Sequence, residues 1–289
     1  MKLSLFEIQD REGPRASAEF KLSITRALAD QLEQSLRVLR PAPLNSHWLT
    51  RVQERPGIYE LYLEEKRVYV GKASKNLRDR LNKHLKKLSG RSGIELSDVT
   101  FVCLYVDEDL EAAAPERMLI DKYRARGESQ WNTMGFGNKD PGRNRDRTLV
   151  EAKHFDARYP IALDLTVDEL DTYLRPVDDL LREVKARLPY TLRFETRDPI
   201  KRDLAQTRIA LETDRISVRD LLREIISVLP DGWQATALPG YVILYFGSED
   251  YRSATVYWRK EAGEVREVLG ARQVDDSDAF PEFEDLDDE

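Results

Sequence analysis

Pro56-Gly57-Ile58-Tyr59, answered ten residues after that tyrosine by Tyr69-Val70-Gly71, frames the stretch on which this chain is organised. Gly57 to Leu63 and Val68 to Ala73 read as two strands joined by the charged turn Glu64-Glu65-Lys66-Arg67, a β-hairpin. Tyr59 and Tyr69 therefore sit on adjacent strands. Asn76 to Leu88 has helical period, with Leu77, Leu81, Leu85 and Leu88 on one face and Arg78, Lys83, Lys86 and Lys87 elsewhere. On that helix Arg80 and His84, at i and i+4, project toward the same space. Gly90 and Gly93 break the helix, and Val99 to Val106, containing Cys103, reads as a buried third strand. Asp109 to Arg126 is a second helix with Leu110, Ala114, Met118 and Tyr123 as inward candidates. Pro115 inside it predicts a kink, or a later start with proline in the first turn. Glu116 follows directly, and Trp131-Asn132 closes the stretch.

Each of these residues has a bland explanation on its own: strand aromatics, solvated helix charges, a surface histidine, a turn asparagine. Together, in this order on a strand-strand-helix-strand-helix plan, they suit hydrolysis of a phosphodiester. That reaction needs an activated nucleophile, a cation against the transferring phosphoryl group and help for the departing oxygen. A phenol has a reference pKa near 10 and is a poor base alone, but a neighbouring imidazole or metal makes it useful. Glu116 supplies the carboxylate that Mg²⁺ prefers, and one fixed acid suits one metal better than two.

The flanks divide by composition. Residues 1–19 alternate weakly around Gly13-Pro14 and predict a strand or arm and a loop. Ile24, Leu28, Leu32, Leu36 and Leu39 then recur at helical spacing after Ser23, a potential N-cap, and Pro41 and Pro43 end that helix. Met134 to Arg147 is rich in glycine and base, with no regular structure expected. Its Lys139, Arg143, Asn144, Arg145 and Arg147 are candidate contacts to phosphates and base edges. Arg78 and Lys72 join them as candidate DNA contacts. Thr166-Val167-Asp168-Glu169 reads as a capping box opening a helix divided by Pro176 and running to Leu188. Strands are expected at 190–196 and 208–212, a helix from Ser217 to Val228, and further strands at 233–237, 241–246, 254–259 and 265–269. No internal repeat is read. The resulting expectation is an α+β chain: a helical arm at 1–50, a catalytic domain at 51–188, an accessory α+β domain at 189–274 and a disordered acidic tail at 275–289.

The formal net charge of -7 conceals a split. Residues 1–158 carry 29 Lys and Arg against 24 Asp and Glu; residues 159–289 carry 17 against 29. The basic part, not the whole, is the relevant surface for nucleic acid. The single cysteine excludes a disulfide framework and a Cys-rich zinc site. Cys103 is expected as a small core residue. Neither a signal peptide nor an apolar run of membrane-spanning length is read, so a cytoplasmic protein without membrane contact is expected.

With Gly57-Ile58-Tyr59 and Tyr69-Val70-Gly71 in place, the sequence resembles the GIY-YIG nucleases, valine standing for the usual isoleucine. The family's arginine matches Arg80, its metal-binding glutamate Glu116 and its later asparagine Asn132. His84 stands where many members carry tyrosine, which, with Gly135 to Arg147, looks like the restriction-endonuclease branch. The resemblance implies a three-stranded antiparallel sheet flanked by helices. It also implies Tyr59 positioning or deprotonating the attacking water, His84 relaying the proton and Arg80 holding the phosphate. Tyr69 would orient water or phosphate, Glu116 would bind Mg²⁺ or Mn²⁺, and Asn132 would lock neighbouring groups. The partners implied are double-stranded DNA, a second copy of the chain as a homodimer or transient dimer on DNA, and a cognate methyltransferase or another defence-system protein. The alternatives are a structure-specific repair nuclease and a non-catalytic DNA-binding or sensory protein on a nuclease scaffold.

Overall fold

The computed structural model describes residues 24–106, 115–138 and 142–275. The arm at 1–19, the Ser23 cap, Leu110, Ala114, Lys139 and the tail beyond Asp275 lie outside the described residues.

Helix α1 (Ile24–Arg37) is followed by a two-residue strand β1 (Ala42–Pro43) and a short helix α2 (Ser46–Leu49). Then come β2 (Gly57–Leu63), β3 (Lys66–Ala73), α3 (Leu77–Ser89), β4 (Val99–Tyr105) and α4 (Pro115–Arg124). The four strands form one antiparallel sheet in the order β1-β4-β2-β3. The expected three strands are thus four: Ala42 pairs with Phe101 and Pro43 with Thr100. Pro43, read only as a helix stop, sits on the sheet edge, where its missing N–H costs no ladder bond.

The hairpin turn is tighter than the four residues expected. Leu63 faces Lys66, and Glu64 and Glu65 take φ of 49° and 65°, the two positive values that a type I′ hairpin turn requires. The register then slips between Leu61 and Tyr62: Leu61 faces Tyr69 while Tyr62 faces Arg67, leaving Val68 as a bulge. The extra residue flips the strand, so Tyr69 shares a face with Tyr59 and Leu61 while Arg67 emerges on the other.

Each face of the sheet carries its own core. On one, Leu77, Leu81 and Leu88 of α3 pack with Tyr59, Leu61 and Tyr69. On the other, Leu32 and Leu36 of α1 and Leu119 and Tyr123 of α4 pack with Ile58, Val70 and Val102. Glu33 joins the two helices there by accepting from Lys122 and from Arg126 at 2.6 Å. Burial works against its charge, but the two cations hold its carboxyl down at about 2.

The second half begins with β5 (Val150–Glu151) and α5 (Phe155–Arg158). It continues through β6 (Thr166–Val167), β7 (Arg175–Pro176), α6 (Val177–Arg187), β8 (Thr191–Phe194) and α7 (Lys201–Gln206). Next are β9 (Arg208–Ile209), β10 (Ile216–Ser217), α8 (Val218–Val228), β11 (Trp233–Leu238) and β12 (Tyr241–Phe246). Last are β13 (Val256–Glu261), β14 (Glu264–Leu269) and β15 (Val274–Asp275). The main sheet has the order β14-β13-β11-β12-β8, antiparallel except where β8 lies parallel to β12. Ser217 caps α8 by accepting from the Asp220 N–H.

Two expectations are corrected here. Thr166-Val167 does not open a helix; it pairs with Ser217-Ile216 as a strand, Glu169 takes a φ of 59°, and α6 starts only at Val177. A β-branched pair with a strand partner outweighs a local capping pattern. The chain also carries a repeat. Val177-Asp178-Asp179-Leu180-Leu181-Arg182-Glu183 and Val218-Arg219-Asp220-Leu221-Leu222-Arg223-Glu224 begin two helices of 11 residues, each followed by Leu-Pro. The short strands before them exchange partners, β6 with β10 and β7 with β9, an approximately two-fold arrangement. Leu180, Leu181 and Val184 pack with Leu221, Leu222 and Ile225 in one core that also contains Ile161, Leu163 and Val167. The apolar residues of 161–188 therefore pack with the second half, and the hydrophobic clusters part near residue 160 rather than at 188.

Candidate active site

Tyr59 and Tyr69 meet because their strands are neighbours and the Val68 bulge turns both side chains toward α3. Asn76 starts that helix by accepting from the Asp79 N–H, which fixes where Arg80 and His84 fall. The Tyr59 hydroxyl lies 2.6 Å from His84 Nε2, and Arg80 Nε donates to the same oxygen at 3.2 Å. Arg80 can only donate and Tyr69 bonds to the same hydroxyl, so the 2.6 Å contact gives the phenolic proton an acceptor in His84 Nε2 when the imidazole carries its own proton on Nδ1. Tyr69 stands against His84 with ring centroids 5.4 Å apart, and Arg80 bonds to it as well. Gly71 faces Tyr59 across the ladder, and a Cβ there would lie 2.3 Å from the Tyr59 hydroxyl oxygen. The second motif glycine is thus a requirement of the first motif tyrosine.

Burial sets the protonation states. It pushes the Tyr59 phenol well above its ordinary range, with Tyr69 adding to the rise, and raises Tyr69 too. It depresses His84 well below the usual imidazole value, reinforced by Arg80 and Lys87. Burial also opposes the charge on Arg80, but the two tyrosine oxygens more than compensate and keep it ionised. At neutral pH the group is two phenols, a neutral imidazole and a guanidinium.

A wall behind the imidazole comes from residues 131–137. Phe136 stacks on His84 with centroids 4.9 Å apart and 22° between planes, and also meets Tyr69, Trp131 and Phe155. Lys87 donates to the Phe136 carbonyl at 2.5 Å, and burial lowers its ammonium to about 8. Gly137 comes so close to Tyr69 that a Cβ would stand 2.7 Å from the hydroxyl oxygen. Asn132 sits in the same turn and holds both backbone groups of Val70, accepting from its N–H at 2.9 Å and donating to its carbonyl at 2.8 Å. It thereby holds the strand that carries Tyr69.

Glu116 lies in the first turn of α4, half-buried, and its charge raises both tyrosines further. Among the described residues no cluster of three or more His, Cys, Asp and Glu side chains is placed to hold a metal. Among the described residues the donor set is one carboxylate, Glu116. That suits Mg²⁺ shared with a substrate, which keeps its waters and takes one or two carboxylates plus phosphate oxygens; it does not suit a resident structural ion.

The candidate DNA contacts are placed in different ways. Lys72 follows Gly71 on β3 and is half-buried. Arg78 is held at the start of α3 by the Val52 and Thr50 carbonyls and by Glu54. Arg143, Arg145 and Arg147 lie on one short 3₁₀ segment with Asn144, and each meets a carboxylate: Glu195, Asp156 and Glu249 respectively. Two of those acids, Glu195 and Glu249, lie beyond residue 160. Arg145 shares buried Asp156 with Arg91, whose Nη1 lies 2.9 Å from it. Burial alone would raise Asp156, but Arg91 and Arg145 hold its carboxyl below the ordinary range.

Sequence reasoning passed over Lys87, Phe136, Asp156 and the buried Glu60. Glu60 pairs with Arg67 at 3.0 Å on the opposite face, where the Arg67 guanidinium also lies 3.9 Å from the Tyr123 ring centroid. Lys87 alone had a readable signal, since it falls three residues after His84 on a helix.

Residues 55–129 match the family model of the GIY-YIG catalytic domain. The matched span contains Tyr59, Tyr69, Arg80, His84 and Glu116, and supports membership of that superfamily and nuclease chemistry. A comparison with curated proteins finds no match. No helix among the described residues is long and apolar enough to cross a membrane.

Proposed function

We propose that this protein is a Mg²⁺-dependent DNA endonuclease that cuts duplex DNA at specific sequences in restriction or anti-phage defence. The observation that carries the reading is the Tyr59 hydroxyl, bonded at once to His84 and Arg80 within the segment that matches the nuclease domain. With His84 Nε2 as acceptor for its proton and Arg80 donating to it, that oxygen is the group that takes a proton from the attacking water. As the water attacks phosphorus and the opposite bond from phosphorus to a sugar oxygen breaks, Tyr59 accepts the water's proton while passing its own to His84 Nε2, and the departing oxygen takes a proton from solvent water. The neutral imidazole is ready to receive the Tyr59 proton. Arg80, always charged, faces the phosphoryl oxygens as negative charge grows there. Tyr69 orients water or phosphate, and Asn132 keeps its strand in place. Mg²⁺ held by Glu116, water and phosphate oxygens would supply Lewis-acid stabilisation, and Mn²⁺ would serve in the same way.

Arg147 and Arg143, whose side chains are 77% and 40% exposed, are the loop cations best placed to exchange a carboxylate for a DNA phosphate. Arg145, committed to buried Asp156, positions the segment. One set of catalytic groups cuts one strand, so double-strand cleavage takes two copies on a palindromic site. A restriction role also implies a methyltransferase that protects the same site. Incubating the purified protein with plasmid DNA and Mg²⁺ tests the reading: discrete fragments are expected. Random degradation contradicts sequence specificity, and intact plasmid contradicts the nuclease.

A further inference from the structure

One face of the second sheet turns toward residues 142–160, and it is built in two parts. Around Tyr241 it is closed by packing: Leu238, Ile243, Tyr251, Ala254 and Tyr257 form an apolar cluster, and Arg193 lies over the Tyr241 ring. Toward Tyr245 the same face carries two buried polar side chains, Gln234 and Thr236, paired across the ladder with Tyr245 and Ile243. A cavity of about 370 Å³ opens over this part, with Arg143, Arg147 and Arg197 in its lining. That is near the lower end of small-molecule pockets, roughly 300–1,000 Å³.

The floor is fixed. Gln234 donates to Thr236 and to the Glu249 carbonyl, both at 2.8 Å, and accepts from Arg259 at 2.7 Å. The Tyr245 side chain borders the same cavity, and its hydroxyl is buried beside it with no hydrogen-bond partner among the described residues. A buried hydroxyl left in that state costs stability, so its place beside a polar-floored cavity points to a ligand atom that reaches it as the ring shifts. The Arg143 guanidinium lies 4.1 Å from the Tyr245 ring centroid. Guanidinium planes and aromatic rings are the two platforms on which nucleobases stack. Arg197 and Arg147 are largely exposed: Arg197 forks Nε and Nη2 onto buried Glu195, and Arg147 reaches exposed Glu249 through Nη2. The Arg147 pair, exposed on both sides, holds weakly in water, and a phosphate offers Arg147 more charge; Arg197 keeps Glu195 and has its Nη1 left to offer the same phosphate.

We infer that this cavity binds one nucleotide, with its phosphate at Arg147 and Arg197, its base on the Arg143–Tyr245 stack and a polar base edge at the Tyr245 hydroxyl. The nucleotide is either free in solution or a unit of a DNA strand. The inference does not depend on cleavage. It does bear on the site, because Arg145, two residues from Arg143, grips Asp156 beside the Phe155 that packs on Phe136.

Calorimetric titration of the full chain in EDTA tests this with three probes: free nucleoside monophosphates, inorganic phosphate and a short DNA duplex. At least one monophosphate, or the duplex, is expected to bind with Kd below about 1 mM. Arg197→Ala and Tyr245→Phe are each expected to weaken that binding by about fivefold or more, with Tyr245→Phe leaving the melting temperature unchanged or raised. Losses confined to the free monophosphates identify a free nucleotide as the ligand; losses confined to the duplex identify a unit of DNA. The inference is overturned if no probe binds, if neither variant changes binding, or if inorganic phosphate binds as tightly as the nucleotides. Because EDTA removes Mg²⁺, a chain that cuts no DNA still gives a readable result.

Discussion

A phenol buried as deeply as Tyr59 keeps its proton at neutral pH, and its usefulness lies in the 2.6 Å path from that proton to His84 Nε2. The identity of the neighbours follows from space as much as charge. Gly71→Ala places a methyl group where the Tyr59 hydroxyl sits. Cleavage is expected to fall by about 10²-fold, with a stability loss of about 1–3 kcal/mol from overpacking, measured by single-turnover rates and urea melts. Titration offers a second check. His84 and His154 are both depressed by burial, His154 to about 4. The unfolded imidazoles take up protons below about 6.5 while the folded ones do not. The stability these histidines contribute is therefore full above pH 6.5 and is lost as pH falls toward their folded values. A urea midpoint that declines from pH 6.5 downward is expected, with a shallower decline in His154→Asn. A flat profile down to pH 4.5 would contradict it.

The elements show why part of this was legible in the sequence and part was not. The motif words, the Asn76 cap and the spacing of Arg80 and His84 are local, and each has its own chemical signature within a few residues. The Val68 bulge has none: the run from Arg67 to Tyr69 alternates like any strand, and only pairing with β2 shows that these two residues face opposite ways. Asn132 looks like a turn residue until Val70, 62 positions earlier, lies against it. Arg143, Arg145 and Arg147 read as open contacts for DNA because their carboxylate partners are scattered from Asp156 to Glu249. The two copies of Asp-Leu-Leu-Arg-Glu were visible in sequence and passed unnoticed, hidden by divergence after the first two helical turns. Asp156 carries the sharpest expectation at this scale. It and Arg91 are both about 5% exposed or less, so Asp156→Ala leaves a buried guanidinium without its main partner. A destabilisation of about 3–5 kcal/mol is expected, read by denaturant unfolding; a loss below about 1 kcal/mol would mean that the pair is in effect solvated.

Across the whole molecule, the division of charge takes on a structural sense. The acidic second half does not stand apart from the basic loop; it supplies Glu195 and Glu249 to Arg143 and Arg147. Any DNA that uses those arginines has to displace the carboxylates. Glu249→Gln releases Arg147, so duplex binding at low salt is expected to tighten and the slope of log K against log salt to steepen by roughly one charge's worth. Unchanged affinity and slope would remove Arg147 from the DNA surface. Removing everything after residue 188 is a poorer test, because it divides the core that α6 shares with α8.

The most direct measurement pairs cleavage with binding for Glu116→Gln. The substitution preserves shape and hydrogen bonding but removes the charge that Mg²⁺ prefers, while phosphate contacts elsewhere supply affinity. A gel shift in EDTA beside a cleavage assay in Mg²⁺ separates the two properties. DNA binding that persists or tightens while Mg²⁺-dependent cutting is lost is the expected result. Near-normal cutting by folded Glu116→Gln would contradict a metal held at Glu116 and, with it, the proposed route to hydrolysis.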